Sequence, residues 1–129
     1  MSRNPFPKNL HLALSAAVVI PVGLIYGADP GHILPGFLWP EVNDLELKNM
    51  IRSVMGLYLV LGVFWIVAIK KQAYWRLATV INVLFMGGLA FGRLISLLFD
   101  GFSPVFFTGM LLEGLMMVWG IFNLKTEKG

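Results

Sequence analysis

Three residues stand out chemically from the runs of Leu, Ile, Val, Phe and Gly around them: Arg52, Arg93 and Glu113. Paired N–H donors let arginine grip a carboxylate or phosphate. A carboxylic acid removed from water can carry a proton as general acid or base. Two arginines against one acid leave one positive charge over, which an anionic headgroup, carboxylate or phosphate would complete. Asn82 and Tyr58 could add hydrogen bonds, and Ser96 falls on the helical face of Arg93.

The elements that must position these residues follow from composition. The chain has 129 residues, 57% of them hydrophobic and only 13% charged, against roughly 25% charged in a soluble domain. Mean hydropathy is +0.77. So few charges could not cover a soluble fold of this size, whereas a bilayer asks for none on the lipid-facing surface. The length suits one domain, residues 1–129. There are no cysteines, so disulfides, thiol redox chemistry and thiolate metal sites are excluded. The two histidines, His11 and His32, lie far apart in the sequence and argue against a metal site. No cofactor signature, internal repeat or low-complexity segment is present.

A bilayer-spanning helix needs ~20 predominantly apolar residues. Four segments qualify, at about 9–27, 45–69, 74–99 and 104–124. Backbone groups in lipid must bond internally, which favours helices, and the alternation of barrel strands is missing. The expected fold is an all-α integral membrane bundle of four transmembrane helices. A cleavable signal peptide is the alternative for the first segment, with "YGAD" as a poor cleavage site.

The charges sort by side. Arg3, Lys8, Lys70, Lys71, Arg76, Lys125 and Lys128 share one side with Glu127. Asp29, Glu41, Asp44, Glu46 and Asp100 share the other with Lys48. The excess of Lys and Arg places both the N and C termini in the cytoplasm. Trp65, Trp75 and Trp119 fall toward the cytoplasmic ends, as an aromatic belt would. The same sorting accounts for the net charge of +3 better than nucleic acid does. The outer loop, 28–44, is rich in Pro and Gly yet keeps Ile33, Leu34, Phe37, Leu38 and Trp39. It is expected to fold back on the membrane face or cap the bundle. The "NDLE" that follows resembles a capping box, with Asn43 as N-cap and Glu46 three residues on.

At 1.5 Å per residue, Arg52 and Arg93 lie ~10 Å below the outer surface and Glu113 ~14 Å below it. All three could meet in the outer half of one bundle. Asn82, Met86, Leu89, Arg93, Ser96 and Asp100 follow steps of four and three, which is one helical face. Gly88 and Gly92 form a small-xxx-small pair that lets a neighbouring helix approach. Gly109, Glu113, Met116 and Gly120 share a face of the fourth span, as do Arg52, Gly56, Leu59 and Val63 on the second. His11, Ser15, Val22 and Tyr26 lie near one another on the first, where Pro21 deprives the Ala17 carbonyl of its helical donor and a kink is expected. Arg93 is thus expected to face inward and neutralise Glu113, with Arg52 beside them. Two plainer readings stand next to this. Either arginine could snorkel to the outer headgroups, and an inward cluster could serve only to fix helix register. Asn82 alone is more often helix–helix glue.

Three stretches carry a resemblance: "LKNMIRSVMGLYL", "NVLFMGGLAFGRLISLLFDGFSP" and "GMLLEGLMMVWG". They resemble a family of small bacterial four-helix membrane proteins known only as a domain of unknown function. Arg52, Gly56 and Tyr58 match its Arg-x-x-x-Gly-x-Tyr stretch. Asn82, Met86, Gly87, Gly92, Arg93, Ser96, Asp100 and Gly101 match a second, and Gly109 and Glu113 a third. That family is more distantly similar to DoxX-like membrane proteins, some tied to respiratory or thiol chemistry, and the latter does not carry over to a chain without cysteine. The resemblance implies fold, topology and a bacterial inner membrane, and gives no activity.

Three functional readings follow. The first is a non-catalytic module that binds a lipid or an amphiphilic anion, or packs as a homo-oligomer or within a larger membrane complex. Its site residues would be Arg52, Tyr58, Asn82, Arg93, Ser96 and Glu113, with packing at Gly56, Gly88, Gly92, Gly109 and Gly120. The second is a small membrane enzyme using Glu113 as acid or base, with the arginines holding an anionic substrate. The third is a transporter or channel subunit with Asn82 and Glu113 along the route.

Overall fold

The structure, a computed structural model, describes residues 5–34 and 43–127, with side chains from Lys8 onward. Among the described residues every regular element is helical. Helix α1 runs Pro5–Gly27, α2 is a single turn at Pro30–Ile33, α3 runs Leu45–Lys70, α4 Trp75–Phe99 and α5 Pro104–Thr126. A 3-10 turn, Gln72–Tyr74, leads into α4. Arg3, Phe37, Leu38, Trp39, Glu41 and Lys128, assigned roles from the sequence, lie outside the described residues.

Helices α1, α3, α4 and α5 are each long and apolar enough to cross a membrane. Their exposure fits that solvent. Leu84 is 69% exposed, Leu98 69% and Phe99 80%, while within α5 only Gly120 and Asn123 are buried. Apolar surface this extensive would drive association in water, and lipid accepts it without cost. These are the features of a multi-pass membrane protein.

The ends of the helices depart from expectation in instructive ways. Helix α1 starts at Pro5, ahead of residue 9, because proline is tolerated in a first turn whose N–H groups have no helical acceptor. It runs on through Pro21 to Gly27. The expected cap at Asn43 is corrected to Asp44, whose Oδ2 accepts the N–H of Leu47 at 3.0 Å. Glu46 then falls one place short of the reciprocal position in a capping box. Helix α4 stops at the carbonyl of Ser96, which accepts from Asp100 N at 2.7 Å and Gly101 N at 3.2 Å. Gly101 follows at φ 126°, a conformation open to glycine and strained for other residues. Pro104 then opens α5.

The chain divides into two compact units, residues 13–67 and residues 1–12 with 68–129. In residues 13–67, α1 and α3 approach closely at glycine. A Cβ on Gly23 would sit 2.9 Å from Tyr58 Cβ, one on Gly27 would collide with Met55, and one on Gly62 would meet Ile20. Gly23 and Gly27 are four apart on one face, the small-xxx-small spacing of close helix pairs. Tyr58 is buried there and meets Tyr26 edge to face at 5.9 Å. Leu34 is buried with Ile51 against Tyr26 and Leu47, so the chain just after α1 folds back onto helix side chains. On the exposed turn, His32 Nδ1 lies 3.0 Å from Asp29 Oδ1. That hydrogen bond is the chief reason the Asp29 carboxyl is held below its ordinary range.

In the second unit α4 and α5 pack along their length. The partners run antiparallel: Arg93 with Glu113, Gly87 with Met117, Val83 with Gly120, and Arg76 with Leu124. The first residues of α1 join them. Lys8 is buried with its Nζ 4.4 Å from the centre of the Trp75 ring, and Gln72 Nε2 donates to Asn9 Oδ1 at 3.1 Å and to Ile69 O at 2.7 Å.

Candidate functional site

Arg93 and Glu113 come together within the α4–α5 unit. Arg93 Nε donates to Glu113 Oε1 at 2.7 Å and Nη2 to Oε2 at 3.0 Å. This is the two-pronged geometry in which a guanidinium holds a carboxylate most firmly. Both side chains are largely buried, at 20% and 14% exposure. The face containing Arg93 therefore turns toward α5, and the plainer reading of Arg93 as a snorkelling side chain does not describe this geometry. Phe106 stacks on the guanidinium, with Cζ 5.0 Å from the ring centre. Gly109 leaves room for the arginine: its missing Cβ would stand 3.6 Å from Arg93 Nε.

Beside the pair lies an open cavity of about 410 Å³. Gly88, Gly92, Arg93 and Ser96 line it from α4, and Phe106 and Met110 from α5. The glycines make its floor, with nothing near their Cβ positions. The start of α5 at Ser103 closes one end, bringing the positive end of that helix to the same place. Arg93 is the one charged residue among the described lining, and Glu113 is not part of the wall. Arg93 thus borders the cavity while its guanidinium holds Glu113. Ser96 Oγ donates to Asp100 Oδ2 at 2.8 Å on the exposed rim. A cavity of this size is at the small end of ligand sites, apolar with a few polar groups that fix orientation.

Of the other expected members, Arg52 and Tyr58 belong to the unit of residues 13–67. Arg52 is exposed, and its Nη1 donates to the carbonyls of Gly27 at 3.0 Å and Ala28 at 3.3 Å. It caps the end of α1, where carbonyls lack helical donors and the dipole is negative. That engagement gives the Arg52 guanidinium partners at the end of α1 and leaves its charge in place. Tyr58 belongs to the α1–α3 contact. Asn82 is fully buried on α4, three turns from Arg93, and neither amide atom has a hydrogen-bond partner among the described residues. Thr79, one turn earlier, is also fully buried with its hydroxyl unpartnered. Of the expected packing glycines, Gly120 makes a close contact, since a Cβ there would stand 2.6 Å from Val83 Cγ2. Gly109 serves Arg93. Gly56, Gly88 and Gly92 have open space, and further close approaches fall at Gly23, Gly27, Gly62 and Gly87.

His11 was given no role by the sequence beyond sharing a face with Ser15. It is fully buried, lies edge-on to Trp119 at 5.3 Å, and its Nε2 is 2.9 Å from Met116 O. A carbonyl can only accept, so Nε2 carries the proton. A lone histidine in an apolar run was the available signal, and only the fold shows which helix it meets.

Among the described residues, an all-helical fold with four helices of membrane-crossing length and a paired Arg–Glu beside a small cavity defines the class. Its family is shown by sequence: residues 7–124 match the domain of unknown function DUF4345, and the chain belongs to that family. Comparison with curated proteins gives no match, and comparison with solved structures gives none.

Proposed function

We propose that this protein is a non-catalytic four-helix membrane module that binds a lipid or other amphiphile in the cavity beside Arg93. The reading includes a bacterial inner membrane, both termini cytoplasmic, a single domain over the whole chain and a distant kinship with DoxX-like proteins. The observation that carries it is the wall of that cavity: Arg93 and Ser96 with glycines, Leu89 and Met110, and Phe106 and Phe107 from α5. Such a wall offers a polar head a fixed donor and an alkyl chain an apolar bed. Asn82 and Tyr58, which are not among the lining residues, enter the reading as structural residues, and Arg52 as a helix cap.

Gly88 and Gly92 favour a second use of the same face. They are exposed and open at Cβ, so a second copy or a larger complex could pack there. The enzymatic reading has less support, because both oxygens of Glu113 accept from Arg93 and an acid so held is a poor base. Transport has no observation of its own.

Gentle purification followed by native mass spectrometry of wild type and Arg93→Leu tests the proposal. A bound mass of one amphiphile per chain, lost in the variant, is the expected result. A bare chain or a protein complex, the same in both, would contradict binding at Arg93.

A further inference from the structure

We propose that the end of the α4–α5 unit away from Arg93 docks the headgroup of an anionic phospholipid, held by Arg76 and Lys125 with Lys70 and Lys71 from the turn that leads into α4. This surface is separate from the cavity above. Arg76 and Arg93 share α4, and at 1.5 Å per residue they stand about 26 Å apart along its axis.

Four stretches of chain meet at this end. Gln72, in the turn before α4, donates to Asn9 near the start of α1 and to the carbonyl of Ile69 near the end of α3. Trp75 Nε1 donates to the carbonyl of Lys8 at 3.5 Å, and Lys8 Nζ lies over the same ring. Arg76 Nη1 donates to the carbonyl of Leu124 at 3.4 Å, which sets the guanidinium against the last turn of α5, one residue from Lys125. The same end therefore carries Lys8, Lys70, Lys71, Arg76 and Lys125, with Glu127 as its one acid among the described residues. Lys70, Lys71, Arg76 and Lys125 are exposed, whereas Glu127 Oε1 is buried. The ion pairs among the described residues are His32–Asp29 and Arg93–Glu113, so none of these cations has an acidic partner there.

Two plainer roles cover part of this arrangement. Lys70 and Lys125 lie in the last turns of α3 and α5, where the helix dipole welcomes a cation. Cations at this end also favour its placement in the cytoplasm, but that effect depends on their number and not on their convergence. Neither role calls for Arg76 where it is. It sits in the first turn of α4, where the dipole disfavours positive charge, and it is drawn toward another cation. A phosphodiester between them relieves both costs. The bond to Leu124 uses one of the five N–H donors of a guanidinium, and a guanidinium matches two phosphate oxygens at once, while lysine adds a point charge. The surroundings suit a lipid more than a soluble anion. Exposed Leu77 and Val80 lie within about a turn of Arg76, and exposed Ile121 and Phe122 precede Lys125, so apolar surface for acyl chains begins where the cations end.

The test uses the full chain in phosphatidylcholine bicelles, with phosphatidylglycerol introduced in steps. NMR follows the Arg76 Nε–H and the backbone N–H groups of Lys71 and Lys125. Saturable shifts are expected at all three, with a midpoint that rises as salt is added. Each cation removed should weaken binding about fivefold, so Arg76→Gln combined with Lys125→Gln should raise the midpoint about 25-fold. Lys48→Gln, a charge removed from the other compact unit, should leave it in place. If the double variant does not fold, Lys125→Gln alone takes its role, with a fivefold rise expected.

Shifts that grow linearly with the phosphatidylglycerol fraction would reveal only a diffuse surface potential and would overturn the proposal. So would a midpoint unmoved by loss of Arg76 and Lys125, or moved equally by Lys48→Gln. Equal shifts from inorganic phosphate in phosphatidylcholine alone would assign the surface to a soluble anion. An acidic protein that co-purifies on this surface and resists displacement by phosphatidylglycerol would assign it to a protein partner, and either result would overturn the lipid assignment.

Discussion

The Arg93–Glu113 pair makes a quantitative prediction through a double-mutant cycle. Removing one partner of a buried pair costs about 3–5 kcal/mol, mostly because the remaining charge is stranded. The side chains here keep 20% and 14% of their exposure, so some water or headgroup contact softens that cost. A loss of about 2–4 kcal/mol is expected for Arg93→Leu or Glu113→Leu alone. The arginine change also removes the stem packed at Gly109 and its stacking on Phe106, which adds about 1 kcal/mol. Replacing both by leucine leaves no stranded charge and should come back to within about 1–2 kcal/mol of wild type. The coupling term would then be about 3 kcal/mol or more, at or above the upper end for residues in direct contact. Reversible unfolding of the four proteins in bicelles measures it. Additive single effects, each below about 0.5 kcal/mol, would show that the guanidinium lives among headgroups and would refute the buried pairing.

Three further outcomes follow from the packing. Gly120→Leu should destabilise the fold by about 1–3 kcal/mol through overpacking, since even a Cβ there meets Val83 and the His11 ring; Gly88→Leu should leave monomer stability within about 0.5 kcal/mol, and equal effects in the same unfolding assay would contradict the assigned contacts. Arg52→Leu should cost only about 0.3–1 kcal/mol, as expected for a partly exposed side chain at a helix C-terminus, and should raise amide exchange at the end of α1; a loss as large as that of Arg93→Leu would contradict the capping role. Asn82→Leu should leave the melting temperature unchanged or raise it, because it removes two buried amide atoms without partners among the described residues, each costing about 1–3 kcal/mol when unsatisfied; a clear fall would show that this amide is bonded in the membrane.

What the sequence made legible was set by the solvent. Four long apolar runs have few alternatives when every backbone group must bond internally, so the helices appear where the runs are. The pairing of Arg93 with Glu113 was legible for a related reason. Residues of opposite charge at similar depth, each on a regular helical face, have strong cause to meet. Elsewhere the signals were degenerate. The chain has 14 glycines, and spacing alone could not tell that Gly23 and Gly27 touch another helix while Gly88 and Gly92 stand open. Adjacent Asn43 and Asp44 are equivalent as capping residues, and the choice between them turns on one residue of register. Arg52 was placed near the others by depth, but a guanidinium reaches several ångströms, and the carbonyls ending α1 came within its range through a fold-back of the chain that depth does not describe. His11 and Asn82 lacked a legible partner because burial of a polar group within an apolar helix depends on rotation about the helix axis.

The most direct test of the central claim is an NMR experiment on the protein in deuterated lipid with a protonated single-chain alkylsulfonate. The account predicts saturable contacts from the chain to the methyl groups of Leu89 and Met110, and a shift of the Arg93 Nε–H signal at the same midpoint. Contacts that never saturate and are spread over outward-facing Leu84, Leu98 and Leu115, with Arg93 unmoved, would contradict it.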